Sequence, residues 1–156
     1  VLGVNYGMGK AKLIKSLGLT EIEGDKFLNL FHKSFPFLKK TAQTATKVGE
    51  QRRWVKTILG RRRRFQDRNH AYKSLNSVIQ GSAGDIMKKA MVDAYEEGLF
   101  NHITPLITVH DELDVSAAPG KEQYVDKLVE IMENCVELKV PLVVDLEKGP
   151  NWGEVE

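Results

Sequence analysis

The feature that most constrains the fold is a proline-free segment from about residue 71 to residue 99. Apolar side chains recur in it at helical spacing: Leu75, Ile79, Ile86, Ala90, Met91 and Ala94. This pattern predicts one long helix with a buried face, and Gly98 is placed to end it. Gly81 and Gly84 lie inside the helix, where each costs roughly 1 kcal/mol relative to alanine. Their small size is therefore expected to allow a backbone or a ligand to approach closely.

Helical patterns also dominate the residues before this segment. Thr20 and Glu23 have the spacing of a capping box, which predicts a helix that begins at this point. Pro36 forces a new helix to start, because its ring cannot be accommodated inside a helix. After that helix, the alternation from Trp54 to Leu59 and the turn residue Gly60 predict a strand and a hairpin.

The last third of the chain changes from long helical patterns to short strands. Residues 105–109 and 113–116 are strand-like and flank a polar turn at 110–112. An amphipathic helix follows, with one apolar face: Val125, Leu128, Val129, Met132 and Cys135. A third strand is predicted from Val140 to Leu146. This order predicts an α+β fold, in which a helical lobe of residues 1–70 precedes a small antiparallel sheet backed by helices in residues 71–156.

Composition narrows the class of protein. The chain has 156 residues and 42% apolar residues, enough to bury a modest core. Its single cysteine, Cys135, excludes a disulfide framework and a cysteine-rich zinc site, which favours a reducing, cytoplasmic setting. No apolar run approaches the roughly 18 residues that span a bilayer, so no membrane is expected as a partner.

Positive charge is concentrated in one stretch, although the net charge is only +2. The stretch contains these cations: Arg52, Arg53, Lys56, Arg61, Arg62, Arg63, Arg64 and Arg68. A solvated surface and a phosphate-binding patch are both open interpretations. The preference for arginine slightly favours phosphate, because a guanidinium can grip a phosphate with two hydrogen bonds.

The turn His110-Asp111-Glu112 carries the clearest chemistry. Adjacent carboxylates at the rim of a sheet can bind a hard cation such as Mg²⁺, together with phosphates and water. Judged locally, an ordinary polar hairpin turn is the favoured interpretation, because aspartate is common in turns. His110 is equally open, since a lone histidine more often forms structural hydrogen bonds than binds a ligand.

Two further sets of residues could contact a nucleic acid. Asn76 and Gln80 are four residues apart on the long helix, hence on one face, and their amides can donate and accept hydrogen bonds in a minor groove. Tyr6 followed by Gly7 is an aromatic residue beside a flexible one, which could stack on a base. Solvated helix amides and ordinary aromatic packing are the alternatives.

Taken in order, three segments resemble conserved motifs of the family A, polymerase I-like, DNA polymerases. Residues 2–8 (LGVNYGM) are similar to the end of the fingers helix, residues 76–85 (NSVIQGSAGD) to the long palm helix, and residues 109–112 (VHDE) to the catalytic motif. Phe35-Pro36, the run from Gly60 to Arg63 and the tail through Trp152 also fall where the family has such residues. The resemblance covers essentially the whole chain, and its details look more viral, of bacteriophage type, than bacterial.

The resemblance implies an incomplete polymerase fold, with part of the fingers in residues 1–70 and the C-terminal part of the palm in residues 71–156. It implies nucleotidyl transfer onto a primer 3′-hydroxyl with two Mg²⁺ ions. Primer-template DNA and deoxynucleoside triphosphates are the implied partners. Asp111 would bind metal, Glu112 would be a secondary acid, and His110 would hold the primer terminus.

The resemblance also assigns the remaining candidate residues. Tyr6 and Gly7 would lie at the template position of the nascent pair, and Leu2 occupies a position where the family commonly has a bulky aromatic residue. The amides of Asn76 and Gln80 would contact the minor groove. The arginines that would bind phosphates are Arg61, Arg62 and Arg63.

The motif that supplies the family's other essential aspartate is absent from the sequence. We therefore expect the two metal ions to be shared with an aspartate outside this chain, and activity to require an N-terminal polymerase part. A noncatalytic nucleic-acid-binding module derived from a polymerase is the alternative. It is less favoured because paired acids repel phosphate and have no use in a purely DNA-binding module.

Overall fold

The computed structural model describes residues 9–155, and these form two compact units. One unit extends to Ser82 and the other begins at Ala83. Among the described residues, the first unit contains three complete α-helices, two strands and a 3-10 helix, followed by the start of a longer helix: α1 (Lys10–Leu17), α2 (Glu21–Ser34), α3 (Pro36–Arg52), β1 (Trp54–Lys56), β2 (Arg62–Arg64) and the 3-10 helix Arg68–Lys73.

Local hydrogen bonds fix where the first helices begin. The Thr20 N–H donates to the Glu23 carboxylate at 2.8 Å, and the Glu23 N–H donates to Thr20 Oγ1 at 3.3 Å. The predicted capping box is therefore confirmed, since both exposed amides at the start of α2 are satisfied. Pro36 is the first residue of α3, where its missing N–H costs nothing. Both predicted helix starts are correct because they depend only on neighbouring residues.

The core of the first unit is small and aromatic. Leu13 of α1 and Phe31 of α2 are buried, and Phe27, Leu28 and Leu38 pack against them. The rings of Phe27 and Phe31 stack with their centroids 6.4 Å apart. This cluster joins the first three helices through apolar contact, the main source of stability for helices of this length.

A short antiparallel hairpin follows α3. Its register pairs Trp54 with Arg64, Val55 with Arg63 and Lys56 with Arg62. The hairpin was predicted, but the strand ends at Lys56 and does not reach Leu59. The Ile58 N–H donates instead to Ser82 Oγ at 2.9 Å, so the backbone leaves the sheet one residue after Thr57.

The predicted long helix is confirmed as α4, Ser74–Glu96, which runs through both units. The helix was predicted from about residue 71, but residues before Ser74 belong to the 3-10 helix Arg68–Lys73. This 3-10 helix begins where the Asp67 carboxylate accepts a hydrogen bond from the Asn69 N–H at 2.9 Å. Gly98 follows the helix with φ 74°, in the left-handed region that glycine adopts without steric cost.

The second unit contains the remaining elements: the C-terminal part of α4, the 3-10 helix Leu99–Asn101, β3 (Ile103–Val109), β4 (Glu112–Ala117), α5 (Glu122–Asn134) and the 3-10 helix Trp152–Glu154. Strands β3 and β4 form an antiparallel hairpin with an irregularity between Pro105 and Ile107. The buried core consists of Ala94, Leu99, Ile103, Leu128 and Ile131. Side chains from α4, β3 and α5 thus meet in one cluster, which fixes the hairpin against the helices.

The predicted third strand, Val140 to Leu146, is wrong. The segment forms no strand, and each sheet within residues 9–155 has two strands only. A valine-rich segment makes a strand only when a neighbouring strand supplies hydrogen bonds, and Pro141 has no N–H to give. The Val144 N–H donates to the Glu133 carboxylate at 3.0 Å, so a side chain takes the place of a partner strand.

The fold class is α+β, with helices followed by small antiparallel sheets. The boundary between the compact units falls inside α4. The division into fingers (residues 1–70) and palm (residues 71–156) stays a prediction. Within the part of the chain that the structure describes, no helix is long and apolar enough to span a membrane.

Candidate functional site

The turn between β3 and β4 consists of two residues, His110 and Asp111. Val109 pairs with Glu112 across the hairpin, so these two residues close the turn. His110 has φ 57°, in the left-handed region that costs a residue with a side chain of order 1–3 kcal/mol. Backbone strain of this kind clusters at functional sites, and histidine is among the residues that tolerate it better than most.

The carboxylates at this turn have no ion-pair partner among the residues that the structure describes. His110, Asp111 and Glu112 are all exposed, and within residues 9–155 neither acid forms an ion pair. No three metal-binding side chains group together in the same range. Two adjacent exposed carboxylates are oxygen ligands of the kind that hard cations bind. Mg²⁺ usually takes one or two carboxylates and completes its shell with water and phosphate.

Asp114 is a third acid that the sequence reasoning did not single out. It lies two residues after Glu112 in β4, and alternate residues of a strand point to the same face. The two carboxyl groups are therefore neighbours on one side of the hairpin, with a spacing of about 6.7 Å along the strand. Strand alternation in the sequence contained the signal that could have identified it.

Asn76 and Gln80 lie one turn apart in the first unit, on the N-terminal part of α4. Gln80 is exposed, and Asn76 is half-buried. The Asn76 Oδ1 atom is shielded from solvent and accepts no hydrogen bond from any described residue. A shielded acceptor without a partner is unfavourable, so this amide is ready to accept a donor from a ligand or from a rearranged neighbour.

The three candidate arginines have different surroundings. The Arg61 guanidinium donates to the Gly81 carbonyl at 3.0 Å, which ties the β1–β2 hairpin to α4. The Arg62 guanidinium lies over the Trp54 ring, 4.7 Å from its centroid. Arg63 is exposed and pairs with Val55, which places it on the other face of the hairpin. The three arginines are consecutive and cannot be distinguished from the sequence alone, because their surroundings depend on strand register.

Gly81 and Gly84 differ in the space around them. A Cβ atom on Gly81 would lie 2.9 Å from Thr57 Cγ2 and 3.2 Å from the Arg61 guanidinium, so close approach of the hairpin explains this glycine. A Cβ atom on Gly84 would meet nothing within 4 Å.

Cys135 is a structural residue in this fold. Its thiol lies near the Met132 carbonyl at 3.5 Å and the Ile86 carbonyl at 3.8 Å. Burial raises the pKa of the thiol above its usual value, which disfavours the reactive thiolate. Leu2, Tyr6 and Gly7, the expected template and nucleotide residues, lie outside the described residues.

The comparisons with known proteins agree with one another. The family model for DNA polymerase family A matches residues 1–154. DNA polymerase I of Geobacillus stearothermophilus is 37% identical over 96% of this chain and 18% of its own length. DNA polymerase I of Caldicellulosiruptor bescii is 33% identical over 99% of this chain and 20% of its own length. The chain thus spans about a fifth of these curated relatives.

A solved structure is similar over most of the chain. It is the POL domain of Pol1 from M. smegmatis in complex with DNA primer-template and dNTP, with a TM-score of 0.81 and 27% identity. The match covers 90% of this chain and 27% of that one. The family model, the relatives and the similar structure lead to one conclusion: the chain belongs to DNA polymerase family A.

Proposed function

We propose that this chain forms part of the catalytic centre of a DNA-directed DNA polymerase, with Asp111 as a metal-binding carboxylate. The observation that carries the proposal is the β3–β4 turn. It holds Asp111 and Glu112 exposed and side by side in sequence, with no ion-pair partner in the described part of a chain that belongs to a polymerase family. Magnesium ions bound there would stabilise the charge that develops on the transferred phosphate.

The residues of this chain would hold the reactants in place. Asp111, at the tip of the turn, would hold a metal ion, and Glu112 would add negative charge beside it. His110 would contact the primer terminus, with its position set by the left-handed backbone. Because phosphoryl transfer depends chiefly on positioning and charge stabilisation, a rigid hairpin is a suitable support for these groups.

Asn76 and Gln80 would contact the minor groove of the primer-template. Their amides present donors and acceptors from one helical face, and the minor groove displays acceptors that differ little between base pairs. Such contacts would favour correct groove shape over a particular sequence. The complex of the similar M. smegmatis protein with primer-template and dNTP supports DNA and nucleotide as partners.

The remaining metal ligand would come from polymerase residues outside these 156. The relatives are about five times as long as this chain, and no three potential ligands group within residues 9–155. The proposed active form is therefore this chain together with the N-terminal polymerase part, and its two Mg²⁺ ions would be shared between them.

Complementation tests the proposal. The chain is mixed with a polypeptide that carries the rest of the polymerase, a primer-template, dNTPs and Mg²⁺, and primer extension is measured. Asp111→Asn is expected to lower extension by about 100-fold or more, because a metal ligand is worth several kcal/mol of charge stabilisation. Asp145→Asn makes the same chemical change at an exposed position and is the matched control.

Two outcomes would count against the proposal. Equal extension by the Asp111→Asn and unsubstituted chains would refute the metal-binding role. Salt-sensitive DNA binding without extension under any complementation would instead favour the noncatalytic nucleic-acid-binding module.

A further inference from the structure

The face of the β1–β2 hairpin that carries Trp54 is a concentrated patch of positive charge. In an antiparallel hairpin, paired residues share a face, and successive residues along each strand point to opposite faces. The register therefore places four residues on one face: Trp54, Lys56, Arg62 and Arg64. Val55, which is 4% exposed, lies on the opposite face. We call the four residues, with Arg52 at the end of α3, the Trp54 face.

The tryptophan ring is the centre of this face. The Arg62 guanidinium lies 4.7 Å from the ring centroid, and the Arg52 guanidinium and the Lys56 ammonium each lie 5.7 Å from it. A cation within about 6 Å of an indole is attracted by the negative face of the ring. The ring thus restrains three positive groups that would otherwise move freely on long side chains.

Nothing nearby in sequence neutralises these cations. The segment from Gln51 to Gln66 contains no aspartate or glutamate. Within residues 9–155, the cations of the Trp54 face form no ion pairs with acids. By contrast, Arg53 donates to the Gln66 carbonyl and Arg61 to the Gly81 carbonyl, so these two arginines have structural roles.

A guanidinium held against a ring is well suited to binding phosphate. The contact with Trp54 uses the flat face of the group, whereas its N–H donors lie in the plane and can still bind an oxyanion bidentately. Contact with the ring already restricts the conformations of these cationic side chains, so they lose less entropy when a phosphate binds.

We propose that the Trp54 face binds single-stranded DNA, as the unpaired template strand beside the primer-template duplex. Aromatic residues among cations are typical of single-strand binding, because unpaired bases can stack on a ring or on a guanidinium plane. The bases of a duplex are already stacked on one another, so a duplex would use only the positive charges. The identity of the bound strand as the template rests on the proposed polymerase function, whereas single-strand binding itself does not.

Equilibrium binding tests it without metal ions or catalysis. The full chain with Trp152→Phe has Trp54 as its single tryptophan, because the sequence contains two. It is titrated with oligothymidine of about 12 nucleotides, a length within the usual site size of such proteins. Quenching of Trp54 fluorescence and a linear decrease of log K with log salt are the expected results.

Substitutions separate the ring from the charges. Trp54→Leu, made in the wild-type chain and followed by anisotropy of a labelled oligonucleotide, changes no charge and is expected to weaken binding by about tenfold. Arg62→Gln with Arg64→Gln is expected to reduce the salt slope by about 1.4, or 0.7 for each phosphate contact. Lys12→Gln with Lys39→Gln removes the same charge from exposed helix positions and is expected to leave the slope unchanged.

Two controls test whether the variants fold correctly. One is Trp54→Phe, which keeps an aromatic ring in the hairpin, and the other is the melting temperature of each variant. A weakening smaller than that of Trp54→Leu is expected for Trp54→Phe. The inference is overturned if both ring variants bind as tightly as the wild-type chain while folded. It is equally overturned if the lysine double variant loses as much slope as the arginine one, or if a blunt duplex quenches Trp54 as strongly as a single strand.

These results are independent of those for the proposed function. Loss of extension with Asp111→Asn, together with unchanged single-strand binding by folded Trp54 variants, would retain the polymerase role and reject this inference. Weakened binding by the Trp54 and arginine variants would support the inference even if complementation gave no extension.

Discussion

Replacing Gly49 by alanine is expected to destabilise the first unit, although alanine is the better helix residue. Gly49 is buried in the last turns of α3. A Cβ atom there would overlap Ser74 Oγ and would lie 3.3 Å from Ala71 Cβ. Ser74 and Ala71 are 0% and 1% exposed, so neither can move aside into solvent.

Two opposing effects set the size of the change in unfolding free energy. Alanine gains about 1 kcal/mol over glycine in a helix interior. Overpacking a filled site costs typically about 1–3 kcal/mol, and the confined position of Ser74 favours the upper value. The net loss is about 2 kcal/mol, which corresponds to a decrease in Tm of about 4–8 °C for a chain of this length.

Urea denaturation followed by tryptophan fluorescence, which reports on Trp54 in the first unit and on Trp152 in the second, measures the unfolding free energy of each variant. Gly84→Ala is the matched control, because a Cβ atom at that helix position meets nothing within 4 Å, and it is expected to stabilise by up to about 1 kcal/mol. Ser74→Ala should restore at least half of the loss in the Gly49→Ala background, since it removes the obstructing oxygen. That oxygen has no hydrogen-bond partner among the described residues, so its removal alone costs little.

The reasoning is refuted if Gly49→Ala proves as stable as Gly84→Ala. It is also refuted if Ser74→Ala and Gly49→Ala simply add, because residues in direct contact should show a coupling energy.

Three further predictions concern other parts of the chain. The Thr20 N–H and hydroxyl hold the pKa of Glu23 below its usual 4.5. The stability that Glu23 adds is therefore present above pH 4.5 and is lost as pH falls through the lowered pKa. The decrease in Tm caused by Glu23→Ala should be smaller at pH 3 than at pH 7, and an equal decrease at both pH values would contradict this. His110→Gly should raise thermal stability by about 1 kcal/mol by relieving the left-handed backbone, while lowering extension in the complementation assay; a loss of stability would show that His110 is not strained. Ile103→Ala, at a side chain only 2% exposed, should cost about 2–5 kcal/mol in urea denaturation, and a loss below 1 kcal/mol would mean that the second core is poorly packed.

Features set by neighbouring residues could be predicted from the sequence. The Thr20–Glu23 capping box, the helix start at Pro36 and the helix end before Gly98 involve groups only a few residues apart. The long helix was also predictable, because its apolar spacing persists over many turns. These signals do not require knowledge of distant partners.

Features set by distant residues could not be predicted in the same way. Residues 140–146 have strand-like composition, but whether they form a strand depends on pairing with another strand. The different surroundings of Arg61, Arg62 and Arg63 follow from hairpin register, and the turn at His110 and Asp111 shows its backbone strain only in three dimensions. The sequence identified the acids at that turn as candidates, whereas Asp114 required the alternation of β4 to be considered.

Two hydrogen bonds join the β1–β2 hairpin to α4 and restrict the distance between these elements of the first unit. The Ile58 N–H donates to Ser82 Oγ and the Arg61 guanidinium donates to the Gly81 carbonyl, both directly after Gln80 in the helix. The amides proposed to contact a base pair and the cations proposed to hold the strand are therefore kept at a constant separation. A nucleic acid bound by both sets of residues would therefore have a fixed number of nucleotides between the two contacts, whatever its sequence.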